Sequence, residues 1–154
     1  MARNYFAQTA AAEIALGAGT LTCIARLNAP ANQIVAIQGF DLSFDGTSTT
    51  AEPVIIQLLR VSTDGTGMSA RNPLKTKDRA AALQTTGAVG PVTAGNLPTA
   101  GDILKTFHIH PQAGVVYPFP LNDQEIEIPG GGRLAIEVTA PAAVNCLFTM
   151  YGEE

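Results

Sequence analysis

The chain has 154 residues, a formal net charge of −4, 46% apolar residues and only 14% charged residues. This length can bury a full core without a disulfide or metal staple. A weakly acidic balance without a dense basic cluster lacks the electrostatic footprint that phosphate backbones require, so nucleic-acid binding is not expected. Average domains carry roughly 25% charged residues, so the shortfall points to a surface that meets other proteins, or to a polar face built from Thr, Ser, Asn and Gln.

Taken from the start, residues 1–19 read as an N-terminal arm or a first strand. Residues 1–6 contain no continuous apolar core of a signal peptide, and no run in the chain approaches the ~18 apolar residues of a membrane span. The expectation is a chain made in a cytoplasm that stays soluble and off the membrane. Residues 10–16 could start a helix, but Gly17 and Gly19 cut it to about two turns, too short to hold alone. Residues 20–27 then alternate well enough for a half-buried strand. Residues 33–45 follow, with Ile34, Ala36, Gln38, Phe40, Leu42 and Phe44 tending to one parity, and close at Asp45-Gly46, a turn signal. Residues 54–61 are a dense aliphatic run that suits a central strand.

Residues 62–101 break this rhythm. They carry Arg71, Lys75, Lys77 and Arg79, a helical turn over 78–83, and then Gly87, Gly90, Pro91, Gly95 and Pro98. A connection this long is functional or flexible when it has no structure of its own, so it is expected to form a contact surface. Residues 102–110 read as a strand that Pro111 ends. Residues 115–119 are extended, and Pro118 and Pro120 restrict them to an edge or a bulge. The Gly130-Gly131-Gly132 run reads as a hairpin turn. Residues 133–139 alternate, with Leu134, Ile136 and Val138 inside and Glu137 outside, and residues 144–151 complete eight or nine strands. Short strands without long amphipathic helices imply one all-β domain over 1–154: an antiparallel two-sheet sandwich, jelly-roll-like, with an N-terminal arm and one long loop. An immunoglobulin-like sandwich is the alternative, but the chain has no Trp.

Chemistry is sparse. Alternate residues of a strand share a face, so His108 and His110 could grip one metal. They are the only two histidines, and residues 111–115 supply no carboxylate to complete a site. Neither Cys23 nor Cys146 carries an activating pattern, and both suit buried thiols, with a bridge conceivable if the end strands lie side by side. No Ser occupies a nucleophile elbow. Asp41 with Asp45, and Asp123, Glu125 and Glu127, could pair as acid and base in glycoside hydrolysis, but a solvated face is the default for such residues. Glu153 and Glu154 read as an exposed acidic end. No cofactor, metal or catalytic residue is expected.

Several stretches carry a resemblance. Residues 39–46 (GFDLSFDG), 52–60 (EPVIIQLLR), 98–104 (PTAGDIL), 110–114 (HPQAG), 129–134 (PGGGRL) and 138–141 (VTAP) resemble small proteins of tailed-bacteriophage structural regions, and the likeness runs from about residue 39 to the C-terminus. It implies a head decoration (cement) protein of jelly-roll type, which sits as a homotrimer on the outer capsid surface of the virion and stabilises the shell by binding the major capsid protein. The side chains expected to form the interface are Arg3, Tyr5 and Phe6 of the arm, with Arg71, Lys75, Lys77 and Arg79 of the loop. Two other functions compete. One is a tail, neck or head-fibre component whose Tyr5, Tyr117, Phe119 and Tyr151 stack on sugars. The other is a metal-dependent jelly-roll enzyme built on His108 and His110.

Overall fold

Alternating apolar runs emerge as strands that pair across long stretches of chain. The computed structural model describes residues 4–10, 12–47, 52–77, 82–119 and 125–154. In chain order the strands are β1 (Tyr5–Thr9), β2 (Ile14–Leu16), β3 (Leu21–Asn28), β4 (Val35–Phe44), β5 (Val54–Val61), β6 (Ser69–Ala70) and β7 (Leu74–Lys75). They continue as β8 (Thr86–Val92), β9 (Ala100–Ile109), β10 (Gly114–Pro118), β11 (Ile126–Ile128), β12 (Arg133–Thr139) and β13 (Val144–Glu153). No helix occurs among the described residues.

Two antiparallel sheets result. One has seven strands in the order β10-β4-β13-β1-β7, with β11 also on β4 and β2 also on β13. The other has six, in the order β6-β8-β3-β12-β5-β9. The chain crosses between sheets at β2 to β3, β3 to β4, β4 to β5, β6 to β7, β7 to β8, β9 to β10, β11 to β12 and β12 to β13. Sequence neighbours therefore rarely pair, which is the habit of jelly-roll-like sandwiches. The Gly130–Gly132 run is one such crossing. It joins β11 in the seven-stranded sheet to β12 in the six-stranded one, so it is a corner and not a hairpin. Gly131, at φ +76°, supplies the left-handed turn there.

The core lies between the sheets. Phe6, Phe40, Ile24, Leu27, Ile37, Ile56, Leu58, Leu134 and Ile136 are all fully buried, each contributing about 1.5–3 kcal/mol relative to exposure. Phe40, Phe107, Tyr117 and Phe119 meet at centroid distances of 5.0–6.2 Å and close the margin between β9 and β10. At the core's other side Gln8 is buried, and its Nε2 donates to the carbonyls of Arg26 and Arg71, each at 3.1 Å.

Of the two readings of residues 1–19, arm or first strand, the described residues bear out the strand, because β1 lies between β13 and β7. Other expectations change. Residues 62–101 are not an unstructured insertion. They hold β6, β7 and β8, and β8 pairs along β3 inside the six-stranded sheet. Pro91 and two flanking glycines hid that strand, since Pro and Gly are depleted in strands. The helical turn at 78–83 falls largely outside the described residues.

On β4, the inward residues at its start are Val35 and Ile37, and Ile34 is 59% exposed. A bulge in the pairing with β13 explains the change of parity: Tyr151 opposes Gly39 and Gly152 opposes Ile37, so Gln38 is extra. Glu137 is buried at 3% exposure, because the outer face of its sheet is covered by the chain itself. Glu153 and Glu154 are not a solvated tail either. Glu153 is buried, and the Glu154 carboxylate accepts from the Gln84 amide at 2.8 Å and from the Thr85 amide and hydroxyl at 2.7 and 2.5 Å.

Candidate interaction surface

The two sheets treat their outer faces differently. On the six-stranded sheet, Cys23, Leu59, Val61, Val92 and Ala135 form a second apolar cluster beneath Met68 and Leu97. A strap formed by residues 62–68 and 93–99 covers that cluster. Its anchor is Asp64, whose carboxylate accepts from Arg133 Nε at 2.5 Å and Asn28 Nδ2 at 3.3 Å. The Asp64 carbonyl accepts from Arg26, and Thr63 and Thr66 bond Thr99 and Asn96 at 3.0 and 2.6 Å. Partial burial works to raise the Asp64 pKa, but the bond from Arg133 and the charges of Arg26 and Arg133 outweigh it, so Asp64 stays below its ordinary value.

Among the described residues, no such cover lies over β4, β13 and β1 of the seven-stranded sheet. Directly opposed residues of antiparallel strands share a face, and the registers define three outward rows. Pro118, Gly39, Tyr151, Ala7 and Leu74 form one; Val116, Asp41, Thr149 and Thr9 form the next; Gly114, Ser43 and Leu147 form the third. On these rows Leu74 is 68%, Val116 76%, Leu147 41% and Tyr151 38% exposed. A hollow of about 380 Å³ lies on this face, lined by Thr9, Asp41, Ser43, Val116, Leu147 and Thr149 among others. The Asp41 carboxylate inside it accepts from Tyr151 Oη at 2.5 Å, and that bond, with burial, raises the Tyr151 pKa. Beyond the end of β4, the exposed Asp45 accepts from the Asn145 side chain and amide, both at 2.7 Å, which lowers its pKa.

Of the side chains expected at an interface, Tyr5, Lys75 and Lys77 gather at the β7 margin of this sheet. Lys77 Nζ lies 4.4 Å over the Tyr5 ring, and the Thr76 amide bonds the Tyr5 carbonyl at 3.0 Å. Arg71 is half-buried and its Nε donates to the Thr9 carbonyl at 3.3 Å, so its first task is to hold the segment to β1. Phe6 is a correction: at 1% exposure it belongs to the core, because strand alternation turns it inward beside Gly152. Arg3 and Arg79 lie outside the described residues. Leu74, Val116 and Leu147, spread over the three rows, were missed by sequence reasoning, and Tyr151 was considered there only for sugar stacking. The signal was apolar residues at both parities, as in Val115-Val116 and Cys146-Leu147-Phe148.

The other candidate sites separate. His108 sits opposite Ile55 on the edge strand β9. His110 lies just beyond that strand, and its Nδ1 accepts the Gln112 amide at 3.2 Å. Among the described residues no group of three or more His, Cys, Asp or Glu comes together as a metal site. Cys23 and Cys146 are free, buried and in different sheets, and both thiols are pushed up to about 12. Burial dominates in each case, with the Glu137 carboxylate adding to it at Cys23 and Asp45 at Cys146. Of the aromatic residues considered for sugar stacking, Phe119 is buried, Tyr117 packs edge-on against Phe107, and Tyr5 lies beneath Lys77. Comparison with protein-family models, characterised proteins and solved structures finds no match to this chain.

Proposed function

We propose that the protein is a non-catalytic structural component of a phage virion, which binds the outer surface of the capsid as an oligomer and stabilises the shell. The observation that carries this reading is the bare outer face of the seven-stranded sheet. One sheet is sealed by the protein's own strap, while the other exposes Leu74, Val116, Leu147 and Tyr151 on a single face. Large apolar groups concentrated on one face mark a contact with another protein. The low content of charged residues, 14% of the chain, agrees with the depletion of charge at interface centres.

The likeness of residues 39–46, 52–60 and 98–104 to phage structural proteins supplies the partner, the major capsid protein, and the virion as location. The mechanism is mass action. A protein that binds the intact lattice and not its separated subunits stabilises the lattice by its binding free energy. Several copies bridging neighbouring subunits add through high effective concentration. Co-sedimentation with heads of a tailed phage that lack their own decoration tests this. Saturable binding, with a raised temperature of DNA release, is expected. Protein that stays in the supernatant at every ratio would overturn the reading.

A further inference from the structure

The hollow of about 380 Å³ on the exposed face has apolar walls and one charge. Val116, Asp41 and Thr149 make one of its rows, and Gly114, Ser43 and Leu147 the next. Gly114 brings no side chain and Ser43 a short one, so the second row dips between the exposed Val116 and Leu147. Asp41 is the only charged residue among those lining the hollow. Tyr151 Oη donates to its Oδ2 at 2.5 Å, which fixes the carboxylate as an acceptor and occupies one oxygen. No cation among the described residues pairs with Asp41. Lys105, on neighbouring β9, lies on the other side of β10, where its Nζ donates to Tyr117 Oη at 2.9 Å.

An acceptor held in this way sets a condition on whatever covers it. A carboxylate that loses its water without gaining an opposite charge and donors is strongly destabilising. A neutral or acidic surface laid over this face would leave Asp41 in that state, and a basic side chain would match it. We propose that the hollow seats an arginine side chain presented by the protein on which this face docks, with the guanidinium on Asp41 and the aliphatic stem between Val116 and Leu147. The inference rests on the assembly reading and deepens it by naming the chemistry of the partner's anchor. Arginine is selected over lysine on two grounds. Its flat head carries five donors, enough for Asp41 Oδ1 and the hydroxyls of Ser43 and Thr149 together, and its stem packs on apolar walls. It is also enriched at protein interfaces, where lysine is depleted.

Titration of the isolated protein with N-acetylarginine amide, followed through its backbone amide resonances, tests the seat. Its neutral isostere, N-acetylcitrulline amide, is the matched probe. Saturable shifts are expected at Asp41, Ser43, Val116 and Leu147, weakening as salt is raised. Citrulline should bind at least about fivefold more weakly, and Asp41→Asn should weaken the arginine probe about as much, the upper range for an exposed ion pair. Ser43→Leu, which fills the hollow and leaves the carboxylate, should also weaken it. Asp45→Asn, the same charge change outside the hollow, should bind as the parent does. Absence of shifts at these residues, equal binding of citrulline, equal weakening by Asp45→Asn and Asp41→Asn, or the same shifts produced by methyl α-glucoside would each overturn the inference. The citrulline comparison needs no variant, so it decides the matter even where a substitution unsettles the fold. Heads bound by a protein that ignores the arginine probe would remove the anchor alone, and a protein that takes the probe but leaves heads unbound would remove the capsid reading alone.

Discussion

Two carboxylates flanking the strap have opposite relations to pH. Glu137 is buried beside Cys23 on the outer face of the six-stranded sheet, and burial raises its pKa. A folded-state pKa above the unfolded value of about 4.3 means stability that is present below that pH and lost as pH rises through the folded value. Asp64 is the reverse. Its depressed pKa contributes stability above the unfolded value of about 3.9, lost as pH falls through the folded value. Glu137→Gln is therefore expected to flatten the decline in melting temperature between pH 4 and 8, while Asp64→Asn lowers the melting temperature at neutral pH and narrows its difference from the parent below pH 4. Melts of the two variants across pH 3–8 check both signs. A parent whose melting temperature climbs from pH 4 to 8, with no change in slope in Glu137→Gln, would contradict the assignment of Glu137.

At the scale of elements, the strap is the least conventional piece. Gly65 turns it with φ +66°, and a Cβ there would lie 2.6 Å from the Asn96 carbonyl oxygen and 2.8 Å from the Pro98 nitrogen. Gly65→Ala is thus expected to cost about 1–3 kcal/mol locally and to speed amide hydrogen exchange at Thr66, whose N–H bonds the Asn96 carbonyl. Unchanged protection at Thr66 would mean the strap does not depend on this turn.

Much of the element plan was legible in sequence. The central position of β5 and the edge position of β10 follow from a dense aliphatic run and from Pro118, and the structure places both so. What escaped was non-local. The extra residue at Gln38 on β4 reverses which side chains face inward, and nothing in residues 33–45 signals a bulge that exists only in the pairing with β13. Glu137 looked outward by alternation and is outward. Its burial comes from a strap that starts some seventy residues earlier, which period-2 reasoning cannot see. Tyr5 of the expected arm and Lys75 and Lys77 of the expected loop were named as interface side chains, and pairing of β1 with β7 brings them together. Phe6 was grouped with them only by proximity in sequence.

For the whole molecule, the topology sets both kinetics and exposure. No two of the described strands adjacent in sequence pair with each other, so nearly every pairing closes a long loop before it gains contacts. Folding is accordingly expected on the slow side of single domains, milliseconds to seconds; stopped-flow refolding complete within microseconds would contradict this topology. Each sheet also has two outer edges. The β6 and β7 edges are each only two residues long, β10 carries Pro118, and Lys105 and two bulges interrupt β9, all devices that discourage indiscriminate strand addition. Among the described residues, Leu74, Val116, Leu147 and Tyr151 are exposed on the outer face of the seven-stranded sheet, the face proposed for contact. The most direct measurement of the proposed role is an electron-microscopy map of tailed-phage particles mixed with this protein. The account predicts density for the sandwich on the outer shell, with the Leu74, Val116 and Leu147 face of each copy covered by protein. Density confined to the tail, or copies whose seven-stranded face points bare into solvent, would contradict it.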